Sequence, residues 1–332
     1  MTAPWTILAI PPAPIEQIRG WFDGLGGALD IRVPADRTPD GVRDLLPDAD
    51  ILLSDWSGAL HVRADDVRLA RRLAFVQSPS VGLDTLDLPA LTAAGIPVAN
   101  TAGLNAPSVA EWCLAAALAV ARSLALVDDE VRAGRWPQLE LPARGSVELA
   151  GRGVGVVGFG AVGSRVARLF GAIGCDVAYW SRRRRSPVEE AGAEWRDLDD
   201  LVAIADVLVV NVALEPETRS LIDARRIAAL PAGAIVIDAS RGGIVDHDAL
   251  LAAVESGALR GAAIDVFPTE PLPSDSPLRR SNRILLSSHA ASTTAEALTR
   301  VFGFVRDNIG RAIRGEPVER VVNGVEPLVR RR

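Results

Sequence analysis

Apolar residues fall along this chain in two alternating rhythms. Short, nearly continuous apolar runs have the pattern of strands buried on both faces. Between them lie stretches whose apolar positions recur every three or four residues, the pattern of helices with one buried side. In the first hundred residues the strand-type runs are Thr6–Ile10, Ile51–Ser54, Leu73–Gln77 and Val98–Asn100, with amphipathic stretches such as Pro14–Leu25 and Ala64–Arg72 between them. This alternation predicts a parallel sheet flanked by helices. An Ala-rich segment from Pro107 to Gly134 then reads as one long helix, capped by Asn105 or Ser108. Its nearly all-round apolar surface requires burial against a domain or a second subunit. Trp136–Glu148, punctuated by Pro and Gly, reads as an arm.

From Gly153 the same rhythm restarts more strongly. Gly155–Val157, Asp176–Trp180, Val207–Val212, Ala234–Asp238, Ala262–Val266 and Ile284–Ser287 read as central strands, with a helix at Val162–Ile173 and others between later strands. A last helix from Thr294 to Arg314 stops at Gly315, and Pro317 prevents its continuation. The fold class is α/β, with two doubly wound parallel sheets.

Composition narrows the chemistry. The 332 residues, 48% hydrophobic, suffice for about two domains. A formal charge of -6 argues against nucleic acid and anionic membranes as partners. MTAPWTILAI lacks a basic leader region and reads as a first strand, and the apolar run Trp112–Ala121 is too short to span a bilayer. Cys113 and Cys175 lie in apolar surroundings, as buried reduced thiols of a cytoplasmic protein would. All 36 basic residues are arginine. Schiff-base chemistry and a phosphate-loop lysine are therefore excluded. Arg330–Arg332 is expected to be a solvated tail.

The strand at Gly155–Val157 runs into Gly158-Phe159-Gly160-Ala161-Val162-Gly163, and a helix follows. In that context G-x-G-x-x-G is a dinucleotide turn. The first glycine allows the tight bend, the second lets backbone approach the pyrophosphate, and the third permits close helix–strand contact. The next strand should end in an acid that binds the ribose 2′-hydroxyl. Here it ends at Ser181, followed by Arg182, Arg183, Arg184 and Arg185, while Asp176 stands at the strand's start. With no carboxylate to repel a 2′-phosphate and guanidinium groups to grip one, NADP is expected over NAD.

Of three histidines, His61 and His247 lie in polar stretches and are expected at the surface. His289 follows the strand Ile284–Ser287 and opens a turn of small residues, at the strand end where ligands of open α/β sheets gather. An imidazole suits proton exchange with a substrate hydroxyl. Arg241 and Glu270 also stand just beyond apolar strands, so three consecutive strand ends offer an arginine, a carboxylate and a histidine to one cleft.

These segments, with SVGLD (80–84), VANTAGLNAPSVAEW (98–112), NVALEPETRSLID (211–223), DASRGGIVDHDAL (238–250), IDVFPTEPLP (264–273) and SSHAAS (287–292), closely resemble the D-isomer-specific 2-hydroxyacid dehydrogenases over nearly the whole chain. The resemblance implies a flavodoxin-like substrate domain, residues 1–101 and 293–332, with an inserted NAD(P)-binding domain, 102–292, hinged near Ala102 and Ser292. It implies His289 as general acid/base, Glu270 holding its ring and raising its pKa, and Arg241 gripping the substrate carboxylate and carbonyl oxygen. The amides of Val81 and Gly82 would take the other carboxylate oxygen. Asp265 would bind the nicotinamide carboxamide and Ser108 the pyrophosphate, with Gly158, Gly160, Ala161, Val162, Gly163, Ser181, Arg182 and Arg183 completing the cofactor site. Trp56 and Leu83 would border the side-chain pocket. The long helix and the arm 134–148 would pack against a twin subunit in a homodimer.

The chain departs from the family pattern at Ser292, where glycine is usual, at Ala213 and Glu215, where proline and threonine are usual, and at Trp112. Val81 stands where phosphite-oxidising relatives carry lysine, and formate oxidation would need polar residues at Val81 and Gly82. The expected activity is therefore reduction of a small 2-keto acid such as glyoxylate or hydroxypyruvate by NADPH, through direct hydride transfer without a metal. A non-catalytic dinucleotide-sensing corepressor is the alternative from another class; the acidic composition speaks against it.

Overall fold

The computed structural model describes residues 4–26, 29–186 and 192–332. They divide into two compact units, Met1–Asn105 with Ala295–Arg332, and Ala106–Thr294.

The first unit carries β1 (Trp5–Ala9), α1 (Ile15–Trp21), β2 (Leu29–Arg32), α2 (Pro39–Leu45), β3 (Ile51–Leu53), α3 (Ala64–Leu69), β4 (Phe75–Gln77), α4 (Leu88–Ala93) and β5 (Val98–Ala99). The strands form a parallel sheet in the order β2-β1-β3-β4-β5. Side chains alternate between its faces. Leu8, Leu52, Val76 and Val98 join one core, while Ile7, Ala9, Ile51, Leu53 and Phe75 join the other. β2 escaped the sequence reading because, as an edge strand, it is only half-buried and lacks a continuous apolar run.

The second unit begins with α5 (Ala106–Ala121) and α6 (Leu124–Arg132). It continues through β6 (Gly153–Val157), α7 (Gly163–Ala172), β7 (Asp176–Trp180), β8 (Glu194–Trp195), α8 (Leu198–Ile204) and β9 (Val207–Val210). It ends with α9 (Ala224–Ala229), β10 (Ile235–Asp238), α10 (His247–Glu255), β11 (Gly261–Ile264) and β12 (Ile284–Leu286). The strands form a parallel sheet ordered β12-β11-β10-β9-β6-β7-β8. The order reverses between β6 and β9, and the crevice beyond the carboxyl ends there is where this architecture binds ligands. Val154, Val156, Val207, Val209, Ile235 and Ile237 meet α5 and α7 on one face, while Val157, Leu208, Val210, Val236 and Ile264 face the other core. The chain then re-enters the first unit as α11 (Ala295–Arg314), whose Val301, Val305, Ile309 and Ala312 cover that unit's sheet.

Two expectations need correction. The segment 107–134 is two helices bent by 59°, not one, with Ser123 in the left-handed region at φ 53°. The alanine face of α5 ends at Ala121, where its sheet contacts end. α6 is amphipathic and instead buries Glu130, which pairs with Arg135 at 2.9 Å and Arg144 at 2.8 Å and so ties the arm to it. Among the described residues no single helix is long and apolar enough to cross a membrane, although this bent pair passes on length and composition.

Nor is the terminal arginine run simply solvated. Arg331 pairs with Asp50 at 2.8 Å and lies over the Trp5 ring at 5.2 Å. The Asp50 carboxylate is completely buried and also accepts from Thr6 N at 2.9 Å and pairs with Arg72 at 2.9 Å. A buried carboxylate stripped of water needs such partners. Replacing Asp50 by Ala should lower stability by about 3 kcal/mol, because the Thr6 amide and two arginines lose their acceptor. Arg331→Ala should cost about 1 kcal/mol, since Arg72 remains. Urea unfolding of both variants measures the difference.

Candidate active site

At the carboxyl end of β6 the chain turns sharply at Gly158, whose φ is +94°. A Cβ there would lie 2.7 Å from the Asn211 carbonyl oxygen, and one on Gly163 would lie 1.9 Å from that of Gly158. Only glycine satisfies either contact. A Cβ on Gly160 would meet nothing within 4 Å, so the middle glycine faces open space. α7 starts at Gly163, and the first amides of a helix lack intrahelical partners. An open surface beside a helix N-terminus fits a pyrophosphate. The turn is braced by Gly158 N donating to Trp180 O at 2.8 Å and by Phe159 stacked on buried Tyr179 at 3.9 Å.

Three neighbouring strands of the same sheet carry the polar groups. After β12, His289 adopts φ 56°, a left-handed conformation that side chains seldom occupy without support. The support is Asp265, just beyond β11 and almost fully buried. Its carbonyl accepts from His289 N at 2.8 Å. Its carboxylate accepts from Ala290 N at 2.8 Å, Ala291 N at 3.0 Å and the Ser287 hydroxyl. The Asp265 carboxylate thus spans the turn that presents His289.

The His289 ring points Nδ1 at Glu270 Oε2, 2.8 Å away. With the carboxylate ionised, Nδ1 carries the donated proton and Nε2 is the nitrogen left for other work. Glu270 Oε1 accepts from Phe267 N at 2.8 Å. Partial burial works to raise the Glu270 pKa. It is outweighed by the hydrogen bonds from His289 and Phe267 N and by the charges of His289 and Arg241, so the carboxyl ionises below its ordinary range. Arg241 follows β10, with Nη1 donating to Ser240 O at 2.9 Å. A Cβ on Gly242 would sit 2.1 Å from Phe267 O, so only glycine lets the Arg241 turn press against the Glu270 turn. The structure therefore gathers Arg241, Glu270 and His289 at the ends of β10, β11 and β12.

Comparison with known proteins gives the family of the chain. The family described as D-isomer specific 2-hydroxyacid dehydrogenase, NAD binding domain, matches residues 114–291. A glyoxylate reductase of Aeropyrum pernix is 36% identical over 79% of this chain and 80% of its own length. The chain belongs to the D-isomer-specific 2-hydroxyacid dehydrogenase family. A D-3-phosphoglycerate dehydrogenase of Mycobacterium leprae is 38% identical over 84% of this chain, which spans about half, 52%, of that longer protein. The crystal structure of an NADPH-dependent glyoxylate/hydroxypyruvate reductase of Sinorhizobium meliloti has the same fold. Its TM-score is 0.85 at 24% identity, covering 99% of this chain and 100% of that one.

As a member of this dehydrogenase family, the chain uses a nicotinamide dinucleotide, and the remaining expected residues can be located. Ser181 and Arg182 follow β7, with the Ser181 hydroxyl donating to Arg183 O at 2.5 Å. Arg185 donates to Phe159 O at 3.1 Å, bracing the glycine turn from outside. Arg182 pairs with Glu215 on the loop after β9, a partner 33 residues away that strand-end reasoning could not supply. Ser108 is buried in the first turn of α5 with its hydroxyl on Thr294 at 2.9 Å. In the first unit, Val81 and Gly82 turn their carbonyls to Asn100 Nδ2 at 2.9 Å and the Ser80 hydroxyl at 2.8 Å. Among the described residues neither of their amides has a protein acceptor.

His61 is exposed, as expected, but His247 is not a surface residue. It is buried, with Nε2 3.0 Å from Asp238 Oδ2, while Asp238 Oδ1 accepts from Ser240 N at 3.1 Å. Its flanking aspartates suggested exposure, yet Asp246 caps α10 and turns the ring inward onto the strand end. Cys113 is buried, and that burial, followed by the charges of Asp265 and Asp238, pushes its thiol pKa up.

Glu270 ionises more readily in the folded chain than in the unfolded one. Its ionised form therefore contributes stability that is complete above the unfolded carboxylate pKa and lost as the pH falls through the lower folded value. Melting temperatures of wild type and Glu270→Gln should differ most above about pH 5 and converge as the pH drops below about 4.

Proposed function

We propose that this chain reduces small 2-keto acids, such as glyoxylate or hydroxypyruvate, to D-2-hydroxy acids with a preference for NADPH. The observation that carries the reading is the His289–Glu270 pair at 2.8 Å, with Arg241 on the adjoining turn. Reduction of a 2-keto acid develops negative charge on the carbonyl oxygen. His289 is suited to deliver the Nε2 proton there while Glu270 holds the ring and stabilises the imidazolium. Arg241 would hold the substrate carboxylate and the carbonyl oxygen, with the Val81 and Gly82 amides taking the other carboxylate oxygen. The bound nicotinamide supplies the hydride. Gly158, Gly160, Ala161, Val162 and Gly163 would hold the pyrophosphate, and Ser108 and Asp265 would complete the cofactor's seat. In this reading the first unit is the substrate domain and the second the cofactor domain.

NADPH is favoured because Ser181 stands where an acid would bind a ribose diol, and Arg182 and Arg183 follow it. The A. pernix glyoxylate reductase supports the substrate class. We further propose a homodimer through α6 and the arm, supported by Trp136 at 77% and Leu139 at 91% exposure, and a cytoplasmic location, supported by the free buried cysteines.

His289→Ala should lower turnover by on the order of 10² to 10⁴ while NADPH binding, followed by fluorescence, survives; unimpaired turnover refutes the role. A panel of 2-keto acids of increasing size, each assayed with NADPH and NADH, should show the highest kcat/KM for the smallest with NADPH. Sedimentation of a Trp136→Glu/Leu139→Glu variant should show monomers where the wild type sediments as a dimer.

A further inference from the structure

The loop after β9 brings a carboxylate to Arg182, the residue that follows Ser181, where the ribose strand lacks an acid. Gly158 N donates to Trp180 O at the end of β7, and a Gly158 Cβ would lie 2.7 Å from Asn211 O at the end of β9. The turn after β6 is therefore flanked by both strand ends. From the loops that follow those strands, Glu215 pairs with Arg182, through both guanidinium nitrogens Nη1 and Nη2. Glu215 is held in place from below. Its N donates to Thr218 Oγ1 at 2.8 Å, its side chain accepts from the Thr218 amide, and Pro216 opens the short turn between them. Its side chain is 37% exposed against 63% for Arg182, so the acid is the more fixed member of the pair.

We propose that Glu215 is the residue that sets discrimination between the two nicotinamide cofactors in this chain, by occupying Arg182 and opposing a 2′-phosphate. The inference rests on the reading of Ser181, Arg182 and Arg183 as the 2′-phosphate site. A phosphate dianion reaching for Arg182 must displace Glu215 from the guanidinium and then sit beside a like charge. A ribose 2′-hydroxyl meets no such penalty and can donate to the same carboxylate. Glu215 thus restrains the preference that Arg182 creates, and keeps the unphosphorylated cofactor usable.

Calorimetric binding of 2′,5′-ADP and of ADP isolates the 2′-phosphate from any catalytic step. In Glu215→Gln, 2′,5′-ADP should bind about tenfold more tightly, the effect of removing one charge beside a dianion near a protein surface. ADP affinity should stay level or fall. Arg182→Ala should weaken 2′,5′-ADP by a similar factor, and adding Glu215→Gln to it should yield much less than the tenfold gain. An unchanged or weaker 2′,5′-ADP affinity in Glu215→Gln, with Arg182→Ala still weakening it, overturns the role of Glu215 and leaves the phosphate site standing. An unchanged affinity in Arg182→Ala removes the phosphate site and the inference together.

Discussion

A parallel sheet covered on both faces leaves its chain one place for polar side chains that must work together, the turns beyond the carboxyl ends of the strands. Alternation sends the aliphatic residues of β6, β9, β10 and β11 into one apolar core or the other. Chemistry is therefore pushed to the sheet edge, where Gly158, Arg241, Glu270 and His289 each stand within a few residues of a strand's last pairing. The reversal of strand order between β6 and β9 opens the crevice there, and the glycines at 158, 163 and 242 let the turns approach more closely than any Cβ would allow.

Buried acids hold this edge together. Asp265 gathers the amides of the His289 turn, and Asp238 holds the Ser240 amide ahead of Arg241 while pairing with His247. Each carboxylate is removed from water, which is tolerable because several donors converge on it. Asp50 and Glu130 follow the same rule elsewhere, with arginines as partners. In a chain whose cations are all arginine, these partners are planar forks that can serve one carboxylate together with a neighbouring backbone carbonyl.

Much of the candidate site was legible because its signals are local. Gly158–Gly163 lies between a strand run and a helix run, and His289, Glu270 and Arg241 each follow an apolar strand directly. What stayed hidden joins residues far apart in sequence. Arg331 finds Asp50 across 281 positions and Arg182 finds Glu215 across 33. His247 turns inward because Asp246 caps its helix. β2 and β8 went unseen because edge strands are short or half-buried and carry no continuous apolar run.

By itself the sequence determined the α/β class, the phosphate turn and the family, since periodicity, glycine spacing and ordered motifs are properties of contiguous residues. Only the tertiary structure decided where α5 stops, which histidine is buried, how Asp265 supports the left-handed His289, and that Glu215 reaches Arg182. Those outcomes depend on the close approach of separate segments, and Gly158 and Gly242 mark two places where that approach leaves no room for a Cβ. Pairing across space is set by the packing of whole elements, and no local pattern encodes it.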